Sequence, residues 1–346
     1  MSRLVLSLTD LIPAHCADSA RAAPPRLPRL EEWLSRGEIE RESGGWRHWL
    51  QRASRDNALR SAPPASIAAA AVPEVVGAQS VWLASPVHWV AGLDTVRLHP
   101  EGLLMLGVEE QRALARDFSQ VFAGSNWSLH PTGRRELLLA GGSAQDPGAV
   151  RTHDPRPWLG ADPRAGLPAG AGAAEMRRLG TEIEMWLHEH PVNLARQAQG
   201  KLSVSALWIW GGGAAPMAPG QVDAREQSGG AVAWADDLFV DGLARLGHFA
   251  AKALPPRWPP TLPIPRASGA DVLAVVGRGA PPDAAALGSL EQDWIAPAFQ
   301  TWRSGGVHEA TLLAGELAVN LRRSPFRRLW RGLGRVRPWW ENLSSC

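Results

Sequence analysis

Two runs constrain the fold more than anything else in the chain. ALWIW at 206–210 and VLAVV at 272–276 are apolar at every position, without the polar alternation of a strand wetted on one side. Continuous apolarity over so short a run indicates a strand covered on both faces, as in the helix-flanked sheets of α/β proteins. Further strands are read at RLVLSL (3–8), ending at Thr9-Asp10, and at EATLLAGELAVNLR, a strand pair or one long strand. Helical stretches separate them: residues 175–190, ADDLFVDGLARLGHFA, and LEQDWIAPAFQTWRSG, interrupted near Pro297. Helices alternating with buried strands predict an α/β protein with a largely parallel central sheet flanked by helices.

The first half is less regular. LEEWLSRGEIERESGGWRHWLQRAS reads as helical and is split at Gly44-Gly45, and residues 61–73 read as a loop or weak helix. SVWLASPVHWV and DTVRLHPEGLLMLG read as strands, the latter turning at Pro100-Glu101-Gly102. VEEQRALARDFSQVF carries a helical stripe through Val108, Leu114, Phe118 and Val121. Residues 1–321 are thus expected to form a single large α/β domain. It comprises an N-terminal half (1–140), a Gly/Pro-rich connection (141–173) and a C-terminal half (174–321), with a basic amphipathic tail at 322–346.

Composition excludes some function classes. Lys and Arg (36) nearly balance Asp and Glu (34), so no global field draws the chain to nucleic acid or membrane. No stretch of about 18 apolar residues is present, so no transmembrane segment is expected. Cys16 and Cys346 lie far apart and suggest no disulfide framework, and the apolar start is broken by Asp10. A soluble protein of a reducing compartment, the cytoplasm, is expected.

MWLHEHPVN (185–193) poses the question of a metal cluster. At about 100° per residue, His190 falls on the apolar stripe of Met176, Leu179, Ile183, Trp186 and Leu187, whereas His188 lies about 200° away. One regular helix cannot bring both rings to one ion, and Pro191 ends the helix there. His190 therefore reads as a half-buried helix-end residue. The glycines 211–213 allow a sharp turn or the close approach of another backbone or a ligand, but no phosphate-loop or dinucleotide pattern accompanies them. No nucleophile elbow occurs, and Asp236, Asp237 and Asp241 read as solvated helix-face charges. Trp208 and Trp210 share one face of a strand, and both are expected to be buried.

The run TEIEMWLHEHPVNLARQAQGKLSVSALWIWGGG resembles the central motif of the RpfE-type regulatory proteins of proteobacteria, a phosphoglycerate-mutase-like family. WLASPVHWVAGLDTVRLHP and LEQDWIAPAFQTWRSG resemble further segments of that family. The HPVN and WIWGGG parts also resemble archaeal-type cofactor-independent phosphoglycerate mutases of the alkaline phosphatase superfamily. That resemblance implies an alkaline-phosphatase-like core and carries over Asn193, Arg196, Trp208, Trp210, Gly211 and Gly213. Of these, Asn193, Arg196, Gly211 and Gly213 are the candidate ligand-binding residues. The mutases hold two divalent ions with aspartates and histidines, which takes a dense ligand set. This chain has only His248 and His308 after residue 190, neither directly after an aspartate, and Arg278 and Pro281 stand where a ligand-bearing loop is expected. Asp10 resembles a first ligand left alone.

The leading expectation is a non-catalytic regulatory or partner-binding protein on a degenerate phosphomutase-like scaffold, with an unidentified protein partner and neither catalytic residues, metal nor cofactor. The alternative is a metal-dependent phosphoglycerate mutase or phosphatase with displaced ligands. A second alternative rests on RRSPFRRLWRGLGRVRPWW (322–340), which holds Arg322, Arg323, Arg327, Arg328, Arg331, Arg335 and Arg337 and no acid. Phe326, Leu329, Trp330, Leu333 and Val336 would form an apolar stripe opposed by arginines, a basic amphipathic helix for an anionic surface or nucleic acid.

Overall fold

Strand Arg3–Leu8 finds its hydrogen-bonding partners at the far end of the chain, beside Val272–Val276 on one edge and Glu309–Ala314 on the other. Both pairings are parallel. The structure is a computed structural model and describes residues 2–11, 24–42, 44–54, 56–92, 95–141, 150–218, 231–259, 271–277, 279–323 and 338–343. In chain order its strands are β1 (Arg3–Leu8), β2 (Glu38–Arg41), β3 (Val81–Val87), β4 (Trp89–Ala91), β5 (Val96–Leu98), β6 (Trp127–His130), β7 (Leu137–Gly141) and β8 (Ala206–Ala214). There follow β9 (Val232–Trp234), β10 (Ala250–Lys252), β11 (Val272–Val276), β12 (Glu309–Ala314) and β13 (Leu317–Arg322). The helices are α1 (Pro28–Arg36), α2 (Gly45–Ala53), α3 (Asn57–Ser61), α4 (Pro64–Ala69), α5 (Val108–Val121) and α6 (Ala173–His188). They continue with α7 (Pro191–Ala198), α8 (Leu238–Arg245), α9 (Ala284–Leu290), α10 (Ala296–Ser304) and α11 (Trp339–Leu343).

The chain is divided into two compact units, each assembled from separated stretches. Residues 1–55, 224–236 and 247–346 form the first, and 56–223 with 237–246 the second. These do not coincide with the halves 1–140 and 174–321 that a reading along the chain suggests.

The first unit is built on the sheet β10-β9-β11-β1-β12-β13-β2. Its strands are parallel from β10 to β12, and β13 runs antiparallel to both its neighbours. The fold is therefore mixed α/β with a largely parallel central sheet flanked by helices, as the apolar runs predict. Leu4, Leu6 and Leu8 of β1 pack in one core with Trp33 of α1 and Phe299 of α10. The indole of Trp33 stands 5.9 Å from the Phe299 ring and donates to the Val319 carbonyl at 3.3 Å. Pro297 removes the N–H that would close onto the turn before it, and the ladder there widens into a π turn at Glu291–Ile295. β2 is a correction to the helical reading of 30–54. Its alternation of half-buried and exposed residues suits an edge strand paired to β13.

The second unit carries the antiparallel sheet β6-β7-β3-β8 and the small ribbon β4-β5. Its cover explains why β8 misleads. Leu207 and Ile209 face a cluster with Phe118, Ile183 and Leu187, while Trp208 and Trp210 face Leu83, Leu98 and Leu138. A strand so covered is apolar throughout although its sheet is antiparallel, so the run does not report strand direction. Three more readings are corrected here. The hairpin closes at Gly92, whose N–H donates to Thr95 at 2.8 Å, and the chain after Pro100-Glu101-Gly102 stays irregular while burying Leu103, Leu104 and Leu106. Val108 and Val121 of α5 are exposed, and its buried face is Gln111, Leu114 and Phe118. The glycines 211–213 continue β8 instead of turning it. A Cβ on Gly212 would sit 1.9 Å from the Val81 carbonyl oxygen, so the glycine serves close approach to β3, where the pairing register shifts.

Candidate functional site: the 190–213 motif

The motif begins where α6 stops. Met176, Leu179, Ile183 and Leu187 are buried along its inner face, as their spacing predicts. Pro191 occupies the first turn of the next helix, a position that needs no N–H, and His190 becomes the N-cap of α7. His190 is 4% exposed, and its Nδ1 accepts from the Val192 N–H at 3.1 Å. Nε2 lies 3.3 Å from Asp117 Oδ2 on α5, within ion-pair reach but out of line for a hydrogen bond. Burial pushes the His190 pKa below the ordinary histidine value, and Asp117 opposes that shift. His188 is exposed on the opposite side.

Asn193 is a clasp. Its Nδ2 donates to the carbonyls of Leu187 at 2.6 Å and Val204 at 2.9 Å, and its Oδ1 accepts from the Val204 N–H at 2.7 Å. One buried side chain thus ties the end of α6 to the approach of β8. Arg196 is 5% exposed; its Nη1 meets Glu110 Oε1 at 2.8 Å and its Nε donates to the Leu202 carbonyl at 2.7 Å. Trp208 and Trp210 are both buried, as expected, and donate to the His153 carbonyl at 2.7 Å and Ser85 Oγ at 3.0 Å. The Gly211 N–H donates to Thr152 Oγ1 at 2.9 Å, and Gly213 lies further along the same strand with φ 108°. Asn193, Arg196 and Gly211 are thereby each engaged by the protein itself.

Sequence reasoning missed the acidic partners. Glu110 and Asp117 sit on a helix read only for its apolar stripe. Gln111 was also missed, although its spacing of three and seven to Leu114 and Phe118 places it on the buried face. Its Oε1 accepts from the Thr132 and Gly133 N–H groups at 3.0 and 3.1 Å, and its Nε2 donates to Leu106 and Arg134 carbonyls. Asp237 and Asp241 are corrected from solvated charges: Asp237 caps α8, accepting from Phe239 N–H at 3.0 Å, and Asp241 pairs with Arg134 at 2.7 Å.

In the first unit, Asp10 follows β1, and its Oδ2 accepts from the Gly279 N–H at 2.7 Å. Gly277 passes so close that a Cβ there would stand 1.9 Å from Thr9 Oγ1 and 2.9 Å from Asp10 Oδ2. The carboxylate is wrapped by the backbone after β11. Among the described residues no three His, Cys, Asp or Glu side chains are grouped to hold a metal ion.

A 69-residue segment is 36% identical to 2,3-bisphosphoglycerate-independent phosphoglycerate mutase 2 of Methanothermobacter thermautotrophicus. The segment is 20% of this chain and spans only 17% of that mutase. Among solved structures, the cofactor-independent phosphoglycerate mutase of Thermoplasma acidophilum is similar over 97% of this chain and 96% of its own, with 13% identity and a TM-score of 0.38. The PH0037 protein of Pyrococcus horikoshii is similar over 93% of this chain and 87% of its own, with 12% identity and a TM-score of 0.42. No protein-family profile matches the chain.

Of the candidate anion-binding arginines, Arg322 ends β13 and pairs with Glu309 at 2.9 Å, and Arg323 donates to the Trp302 and Arg303 carbonyls at 3.0 and 2.8 Å. Arg327, Arg328, Arg331 and Arg335 lie outside the described residues. Beyond them Trp339 is buried in the first unit's core, with its indole donating to the Pro25 carbonyl at 3.0 Å.

Proposed function

We propose that this chain is a non-catalytic regulatory or partner-binding protein of RpfE type on a phosphoglycerate-mutase-like scaffold. The observation that carries the reading is the commitment of the motif's polar groups. Asn193 spends both ends of its amide on backbone, and Arg196 spends its fork on Glu110 and Leu202. Satisfied and buried, these groups hold α6, α7 and β8 together, and a phosphate ester would have to displace Glu110 to use Arg196. Asp10 tells the same story, since its carboxylate oxygen already accepts a backbone N–H. The cytoplasm is the compartment proposed; among the described residues no helix is long and apolar enough to cross a membrane.

The test is metal analysis of the purified protein, with assays of phosphoglycerate isomerisation and phosphate-ester hydrolysis in manganese, zinc and magnesium. The expected result is sub-stoichiometric metal and no turnover above a denatured control. About two bound ions per chain, as a two-metal site requires, together with turnover abolished by Asp10→Ala, would establish the metal-dependent enzyme instead. Partner capture is proposed to run through protein contacts, with Arg327, Arg328, Arg331 and Arg335 supplying a cationic contact to an anionic surface.

A further inference from the structure

We propose that the α6–α7 elbow is an acid-released latch, in which the neutral imidazole of His190 holds α7 against α5. The argument starts from the N-cap. The cap needs a lone pair on Nδ1, which here receives the Val192 N–H at 3.1 Å. An imidazolium carries a hydrogen on both nitrogens, so the protonated ring faces that N–H with another donor and cannot cap. Few helices depend on a titratable cap, because serine, threonine, asparagine and aspartate do the same work across neutral pH.

The surroundings make the loss of the cap consequential. The ring is buried, and Trp186 of α6 meets it edge-on with centroids 4.8 Å apart. Trp186 in turn packs edge-to-face on Phe118 of α5 and on Phe122, the residue that caps the C-terminal end of α5, so the imidazole closes an aromatic box. Water has little access, and a charge placed there is poorly solvated.

The charged groups that face the ring come from α5. Asp117 approaches Nε2 at 3.3 Å and favours protonation, but its Oδ1 is already paired with Arg116 Nε at 2.9 Å, and Arg116 opposes it. His188 and Glu189 at the elbow are exposed, and α6 adds only the uncharged Trp186 beside the ring. Past the cap, α7 is held to α5 by the Arg196–Glu110 pair. Above the ordinary histidine pKa both ties are made. The cap is lost only as pH falls through the folded value, which burial holds below the ordinary one, and α7 then depends on Arg196 and the Asn193 clasp.

The experiment is hydrogen exchange on the full chain at about pH 7.5 and about pH 5, a span that brackets the ordinary histidine value, with correction for intrinsic rates. Protection of the α7 amides is expected to fall about fivefold in acid, as the loss of one N-cap implies, while β3 and β7 keep theirs. His190→Asn retains a good cap that does not titrate, and its α7 protection is expected to be the same at both pH values. The His190 ring-proton resonance followed by NMR supplies a readout independent of any variant and is expected to titrate together with the α7 exchange. Unchanged α7 protection while that resonance titrates would overturn the latch. So would a fall that persists in His190→Asn.

Discussion

Arg196 Nη1 lies 2.8 Å from Glu110 Oε1, and the arginine side chain is 6% exposed while the glutamate is 25% exposed. A pair so withdrawn from water is worth little when both partners are present, but removal of one strands the other. Glu110→Ala is expected to cost about 3–5 kcal/mol, the range for breaking a buried pair, because it leaves the arginine unpaired. Arg196→Met, which keeps the apolar stem, is expected to cost less. Urea denaturation of the three proteins checks this, with the order wild type, Arg196→Met, Glu110→Ala in falling stability. Added phosphate is expected to leave the wild-type midpoint unmoved.

Two glycines separate close approach from ordinary propensity. Gly212→Ala must push the Val81 carbonyl from 1.9 Å contact and break the β3–β8 ladder, an expected loss of about 4 kcal/mol or more. Gly180, inside α6, has nothing within 4 Å of a Cβ, so Gly180→Ala is expected to stabilise by about 0.5–1 kcal/mol. Thermal melts of both variants decide the matter. A tolerated Gly212→Ala would mean that β8 does not pair with β3 as described.

Glu291 gives a pH dependence of definite sign. Its carboxylate accepts from the Arg29 and Leu30 N–H groups at 2.5 and 3.4 Å, capping α1 from the π turn. Burial nevertheless raises its pKa above the ordinary glutamate value, with the two N–H bonds opposing. A raised carboxyl binds its proton more tightly folded than unfolded, so its contribution is greatest below the unfolded pKa and is lost as pH rises through the folded one. Glu291→Gln is expected to gain on the wild type as pH rises from about 4 to about 7, and to track it below the ordinary glutamate pKa. Denaturation midpoints measured across that range test the sign.

The arginines after β13 call for charge removal, not truncation. Trp339 is part of the first unit's core, so deleting 322–346 would unfold what it was meant to probe. Replacing Arg327, Arg328, Arg331, Arg335 and Arg337 by glutamine leaves Arg322 and Arg323 to their partners in the fold. Five phosphate contacts on duplex DNA would give a log–log salt slope of about −4.5, and the substituted protein is expected to lose that slope. Binding to DNA or anionic vesicles that survives the five substitutions would locate the contact elsewhere.

Much of the fold is legible in the residues, and the gaps have physical causes. β1, β11, β12 and β13 follow from apolar runs because a covered strand can hardly be written otherwise, and α6 follows from its stripe. β2 is hidden, since an edge strand of charged residues carries no burial signal. β8 reads correctly as a strand and wrongly as parallel, because Trp208 and Ile209 report burial on two faces and nothing about direction. At the candidate motif, the burial of Trp208 and Trp210 and the place of His190 at the end of α6 could be read from spacing and Pro191, but not its role as the cap of α7. Glu110 and Asp117 could not: their partners stand more than seventy residues away, and only the fold brings them together.

The pairing of β1 has a cost in time. Leu4 must meet Val272 on one edge and Ala310 on the other. At synthesis rates of 5–20 residues per second, roughly 15–60 s pass between the appearance of Leu4 and that of its second partner. Throughout that interval an apolar strand leaves the ribosome with both edges bare, the condition that recruits chaperones and invites pairing with a neighbouring chain. The long stretch of the second unit, 56–223, is complete well before then. The nascent protein is therefore expected to fold from its interior outward, with its first strand among the last to be secured.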